Sequence, residues 1–186
     1  MTPSLFHCTL GCVFCWRAQS GDRFWRVSLF KVFLLQAVFL WVISLALQWG
    51  QLAPRPDHFT ALDIAGLGLW CVGFFFEAVS DWQLARFKAD PDNKGRVMDK
   101  GLWAFSRHPN YFGETLLWWG VFLIVLATPS SGWTIISPVI ITAVLLKMTG
   151  VPLMEKTIVH TRPGYREYIA RTPAFLPRFP RRKPGP

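Results

Sequence analysis

The sequence predicts an all-α, polytopic membrane helix bundle, with about four transmembrane helices and a basic cytoplasmic tail. Three observations predict it. The chain is 52% hydrophobic and only 17% charged, whereas ordinary soluble domains carry about 25% charged residues. Four apolar segments stand out, at residues 27–49, 61–79, 111–127 and 133–153. In a four-span arrangement, 19 of the 20 Lys and Arg residues fall on one side.

The first two segments have the length that spanning helices need, roughly 17–25 apolar residues. The third and fourth are marginal alone. The short loop 128–132 makes them a hairpin, and Lys147 and Pro152 interrupt the fourth. Basic residues supply the orientation. Arg17, Arg23, Arg26 and Lys31 flank segment one, and Arg55 lies alone before segment two. Arg86, Lys88, Lys94, Arg96, Lys100 and Arg107 separate segments two and three, and nine more follow from Lys147 onward. The positive-inside rule makes the rich side cytoplasmic, with both termini there. The net charge of +9 follows from these loops and calls for no nucleic acid. They would suit anionic lipid or an anionic cofactor.

Residues 1–24 form an apolar, then polar, lead-in. Its first sixteen residues are too short to span and read as a signal-like stretch, a re-entrant piece or the remnant of a helix. Residues 25–180 form one membrane domain, and residues 181–186 are a basic end. Cys8, Cys12 and Cys15 lack a convincing fourth metal ligand, since His7 alone is near. With Cys71 they read as small apolar thiols, and no metal site is expected. Asp90-Pro91-Asp92-Asn93 is a turn, Arg162-Pro163-Gly164 is a break, and residues 165–171 can form a short helix. Beyond Pro177 the chain reads as extended or disordered.

Chemistry concentrates in residues 106–114, Ser-Arg-His-Pro-Asn-Tyr-Phe-Gly-Glu. Polar groups at the mouth of a span are costly unless they have partners or line a wet cavity. Pro109 suits a first helical turn, so a helix begins at about Pro109 or Asn110. Its free N–H groups attract phosphate, and Arg107 adds a planar fork of donors. Asn110 and Glu114, four apart, can address one ligand. An interface anchor with incidental polar groups is the rival explanation. Glu77 and Asp81 share a helix face. They are either helix-end charges paired with Arg86 or Lys88, or one wall of a cofactor cleft. In the tail, Arg162, Tyr165, Arg166, Tyr168 and Arg171 fall at helical spacings. They fit either a site or a basic amphipathic segment on anionic lipid.

The run Gly101-Leu-Trp-Ala-Phe-Ser-Arg-His-Pro-Asn-Tyr-Phe-Gly-Glu114, followed by Trp118-Trp119-Gly120, resembles the signature of the membrane steroid 5-alpha-reductase-like family, in its DUF1295 branch. Phe76-Glu77-x3-Asp81-x-Gln83 upstream is similar to the segment before that signature. So are Lys147-Met-Thr-Gly-Val-Pro-Leu-Met-Glu155 and Arg162-Pro-Gly-Tyr-Arg-Glu-Tyr168-x2-Arg171 downstream. The likeness covers residues 25–180. It implies a cytoplasm-facing NADPH site and hydride transfer to a C=C bond of a lipophilic, sterol-like substrate. By motif, Asp81, Arg107, His108, Asn110, Tyr111 and Glu114 would surround the cofactor. Arg162, Tyr165, Tyr168 and Arg171 would close over it. Such a reduction needs a proton as well as a hydride; the family draws its donor from the early helices, and Tyr111, with His108 behind it, is the best candidate within this chain.

The family's members carry further helices before the first span. The expectation is therefore a cofactor half that is present and a substrate half that is incomplete, or completed by a partner chain. Two other functions fit parts of the pattern. Isoprenylcysteine and lipid methyltransferases of membranes share a related Arg-His-Pro-x-Tyr-x-Gly run and use S-adenosylmethionine. A truncated, non-catalytic membrane scaffold is the third.

Overall fold

A computed structural model describes residues 21–54, 56–148 and 151–179. Every regular element among the described residues is helical. The cysteine cluster at Cys8, Cys12 and Cys15, Arg55 and the basic end lie outside the described residues. The chain divides into two units, Met1–Val42 and Ile43–Pro186. In the first, a 3-10 turn (Gly21–Arg23) leads into α1 (Phe24–Ser28). A π-helical stretch (Leu29–Leu34) and α2 (Leu35–Ile43) continue it. Trp25, Phe30, Phe33, Leu35, Val38 and Leu40 are all exposed. A helix apolar on so much of its surface is one that lipid would cover.

The second unit contains α3 (Leu45–Leu52), α4 (Ala61–Ala89), α5 (Pro109–Leu126) and α6 (Ile136–Ala143). A second π-helical stretch (Val144–Met148) follows, then α7 (Val151–Thr161) and α8 (Tyr165–Arg171). A capping box starts α4. The Thr60 amide donates to the Asp63 carboxylate at 2.8 Å, and the Asp63 amide donates to the Thr60 hydroxyl at 3.2 Å. At 1.5 Å per residue, α4 is about 43 Å long, which exceeds a hydrocarbon core of about 30 Å. Its last turns, with Arg86 and Lys88 at the negative end of the dipole, therefore have length to spare beyond lipid.

Two pairs of glycines set how α4 and α5 meet. A Cβ on Gly73 would sit 2.6 Å from the Leu117 nitrogen and 2.7 Å from the Gly113 oxygen. One on Gly120 would sit 2.7 Å from both the Gly66 oxygen and the Trp70 nitrogen. The helices run antiparallel with backbone against backbone, the close approach that small residues permit in membranes. Hydrogen bonds attach the rest. The Trp119 indole donates to the Thr142 hydroxyl at 3.3 Å, and the Ala46 amide donates to the Ser137 hydroxyl at 3.2 Å.

By length and composition α4 is able to cross a membrane. Leu35–Ile43 with Leu45–Leu52 passes only as a pair bent by 42°, the form of a broken span or a re-entrant loop, and Gly132–Lys147 is a shorter apolar helix. Against the sequence expectation of four crossings, the described residues hold one helix able to cross and one bent pair that adds at most a second. α5 has the length, but its first turns carry Asn110 and Glu114. The fourth segment carries the π-helical stretch Val144–Met148 within it.

Candidate functional site

A cavity of about 240 Å³ opens beside the start of α5. The end of α4 (Leu84, Phe87, Lys88) and the loop residues Val97 and Met98 form one side. Trp103, Arg107, His108, Asn110 and Tyr111 form the floor, while α7 (Met154, Ile158), Arg162 and α8 (Tyr165, Tyr168) close it.

Local chemistry builds the floor. A 3-10 turn at Gly101–Ala104 begins where Gly101 has φ +62°, a conformation that suits glycine. Gln83 of α4 accepts from the Leu102 amide at 3.0 Å, and the Trp103 indole donates to the Ser80 carbonyl at 3.0 Å. Ser106 is fully buried. Its hydroxyl accepts from the His108 amide at 3.2 Å and donates to the Phe175 carbonyl at 2.8 Å. The tail after α8 then lies along the motif. The Arg107 amide donates to the Pro173 carbonyl, and the Arg178 amide to the Phe105 carbonyl, both at 2.9 Å. As Pro109 indicated, α5 begins there, with the proline in its first turn.

Arg107 is buried and spends its donors within the chain. Its Nε and Nη2 donate to Glu155 Oε1 and Oε2 at 2.7 and 3.1 Å. Nη1 donates to the Ile169 and Thr172 carbonyls at 3.1 and 2.7 Å, capping the last turn of α8. His108 Nε2 lies 3.2 Å from Glu155 Oε1. A carboxylate only accepts, so this nitrogen carries the hydrogen. Burial raises the Glu155 pKa, but the bonds from His108 and Arg107 and their charges outweigh it and hold the carboxyl below its ordinary value. The His108 ring stacks parallel on Tyr111, with centroids 5.3 Å apart.

Asn110 donates from Nδ2 to Asp81 Oδ1 at 3.1 Å. Its own Oδ1 is buried without a hydrogen-bond partner, as is Glu77 Oε2. Tyr168, 2% exposed, donates from its hydroxyl to the Trp103 carbonyl, and burial pushes its pKa up. Burial, and then the Glu155 charge, push Tyr165 up to about 12 against the pull of Arg107. Arg162 donates to the Arg96 carbonyl, and Arg171 pairs with Asp99.

Of the residues singled out in the sequence, the structure gathers Arg107, His108, Asn110, Tyr111, Arg162, Tyr165 and Tyr168 around one cavity. Asp81 joins through Asn110. Glu114 follows Gly113, which meets Glu77 across the helix seam, and Arg171 sits with Asp99. Sequence reasoning missed three participants. Glu155 was visible only as the end of a motif, Lys88 looked like a helix-end charge, and Trp103 appeared only within the Gly101–Glu114 run. Among the described residues no group of three His, Cys, Asp or Glu side chains is placed to hold a metal ion.

The family model described as "Protein of unknown function (DUF1295)" matches residues 15–172. An uncharacterized protein of Schizosaccharomyces pombe is 28% identical over 83% of this chain and 51% of its own length. The chain thus spans about half of that curated relative. No solved structure matches the chain. The floor motif, the α7–α8 motif and the match across most of the chain lead to one conclusion: this protein belongs to the DUF1295 family, the steroid 5-alpha-reductase-like branch.

Proposed function

We propose that the cavity binds NADPH, and that the protein is a membrane reductase passing hydride to a C=C bond of a lipophilic substrate. The observation that carries this reading is Asn110. Its amide nitrogen is fixed by Asp81, and its buried oxygen is an unpartnered acceptor at a residue lining the cavity. An orphaned buried acceptor costs about 1–3 kcal/mol unless something donates to it, and a nicotinamide carboxamide offers an N–H.

Cations at the rim support the phosphate end. Lys88 and Arg162 line the cavity and also a neighbouring depression of about 390 Å³ that includes Lys94. Ligand pockets usually hold about 300–1,000 Å³. A cavity of about 240 Å³ therefore suits one end of a dinucleotide, with the rest along that basic rim. NADPH would supply the hydride. Tyr111 would give the proton, its ring held by the parallel His108. The basic loops favour a four-crossing layout with both termini cytoplasmic and the cavity on that side.

The test is ligand binding by the full chain in detergent, with NADPH and S-adenosylmethionine as probes. NADPH should bind, Asn110→Ala should weaken it by roughly tenfold, and Lys88→Ala should weaken it in a salt-dependent way. S-adenosylmethionine carries no phosphate. Binding of that compound alone would replace the reductase with a methyltransferase, and binding of neither would leave a non-catalytic membrane protein.

A further inference from the structure

We propose that Glu155 is the positioning residue of this cavity, holding Arg107 and His108 as its wall and withdrawing Arg107 from direct contact with a bound anion. The inference rests on the NADPH reading for its ligand, while its geometry stands on its own. Glu155 belongs to α7, and its two partners precede α5, 47 and 48 residues earlier. The side chains of Glu155, Arg107 and His108 are 18%, 9% and 6% exposed, so the three charges and dipoles are largely out of water.

The carboxylate takes both forks of the guanidinium, the strong bidentate arrangement. The remaining nitrogen caps α8 through two carbonyls. Four of the five N–H donors of Arg107 are thereby used on the chain itself. A phosphate reaching Arg107 would have to displace a carboxylate already desolvated against it. Among the described residues no carboxylate pairs with Lys88 or Arg162 at the rim, and Arg162 is engaged only by the Arg96 carbonyl. The same oxygen that takes Arg107 Nε also accepts from His108. One carboxylate thus fixes the ring stacked on Tyr111 and the helix carrying Tyr165 and Tyr168.

The sign of one substitution tests this. If Arg107 were an anion ligand restrained by Glu155, then Glu155→Gln would release it and NADPH would bind more tightly. If Glu155 positions the wall, Glu155→Gln weakens NADPH by roughly tenfold or more. It also speeds amide hydrogen exchange over residues 165–178 and at the Arg107 amide. Glu155→Asp, which keeps the charge, should recover part of both, and Lys88→Ala should weaken NADPH without changing exchange. Tighter NADPH binding, or unchanged exchange, in Glu155→Gln overturns the proposal. A chain that binds no NADPH yet exchanges faster in Glu155→Gln upholds the positioning role and discards the cofactor reading.

Discussion

At the scale of single residues, Glu155 has a consequence for pH. Its carboxyl is held below the ordinary value of 4.5 by His108 and Arg107, against burial. A depressed carboxyl contributes stability that is complete above its unfolded value and is lost as the pH falls through the folded one. The Glu155 contribution to thermal stability in detergent should therefore be complete from neutral pH to about 4.5 and decline below it. Glu155→Gln should remove that decline. It should also cost about 3 kcal/mol at neutral pH, the lower end for a broken buried pair because Glu155 retains some water. Pro109 and Arg107 show what was legible at this scale. A proline announces a helix start through its own ring, so the beginning of α5 could be read locally. The partner of Arg107 lies 48 residues away, and nothing in the local composition names it.

Among the elements, the α4–α5 pair decides where the carboxylates stand. Gly113 meets the Glu77 amide nitrogen, with 2.5 Å available to a Cβ. Gly113→Ala or Gly73→Ala must push backbone from backbone, and should lower stability by about 1–3 kcal/mol, as overpacking does. Either should also weaken ligand binding at Asn110. Gly68 has nothing within 4 Å of its Cβ position, so Gly68→Ala should be neutral or slightly stabilising. Melting temperatures of the three variants check this directly. The seam was only half visible in the sequence: Gly66 with Gly73, and Gly113 with Gly120, stand two turns apart on one face, but nothing local names the helix each face meets. The break at Arg162-Pro163-Gly164 and the helix at 165–171 were legible. Gly164, at φ +83°, takes the left-handed conformation that its lack of a Cβ allows.

For the whole molecule, the charge count and the helices bear on each other. Among the described residues one helix is long and apolar enough to cross a membrane, and the basic loops predict the sides. Cysteines introduced at Asp92 and at Leu176 should be labelled from the same, cytoplasmic, side of sealed vesicles. One at Ser130 should be labelled from the opposite side. Labelling of residues 92 and 130 from the same side would remove the crossing assigned to α5. An all-helical chain with a membrane-capable helix was legible in composition and apolar patterning, while four crossings exceed what the described helices support. The closed cavity depends on segments that meet only after folding.

The tail laid along the motif also has a consequence for biosynthesis. The Arg107 amide and the Phe105 carbonyl find their partners at Pro173 and Arg178, on the order of 70 residues later in the chain. At about 5–20 residues per second, the ribosome delivers those partners several seconds after the motif has been made. During that interval the nascent chain carries an unfinished polar floor beside the membrane. The cavity is therefore a late product of translation, assembled when the tail arrives and not when the motif itself emerges.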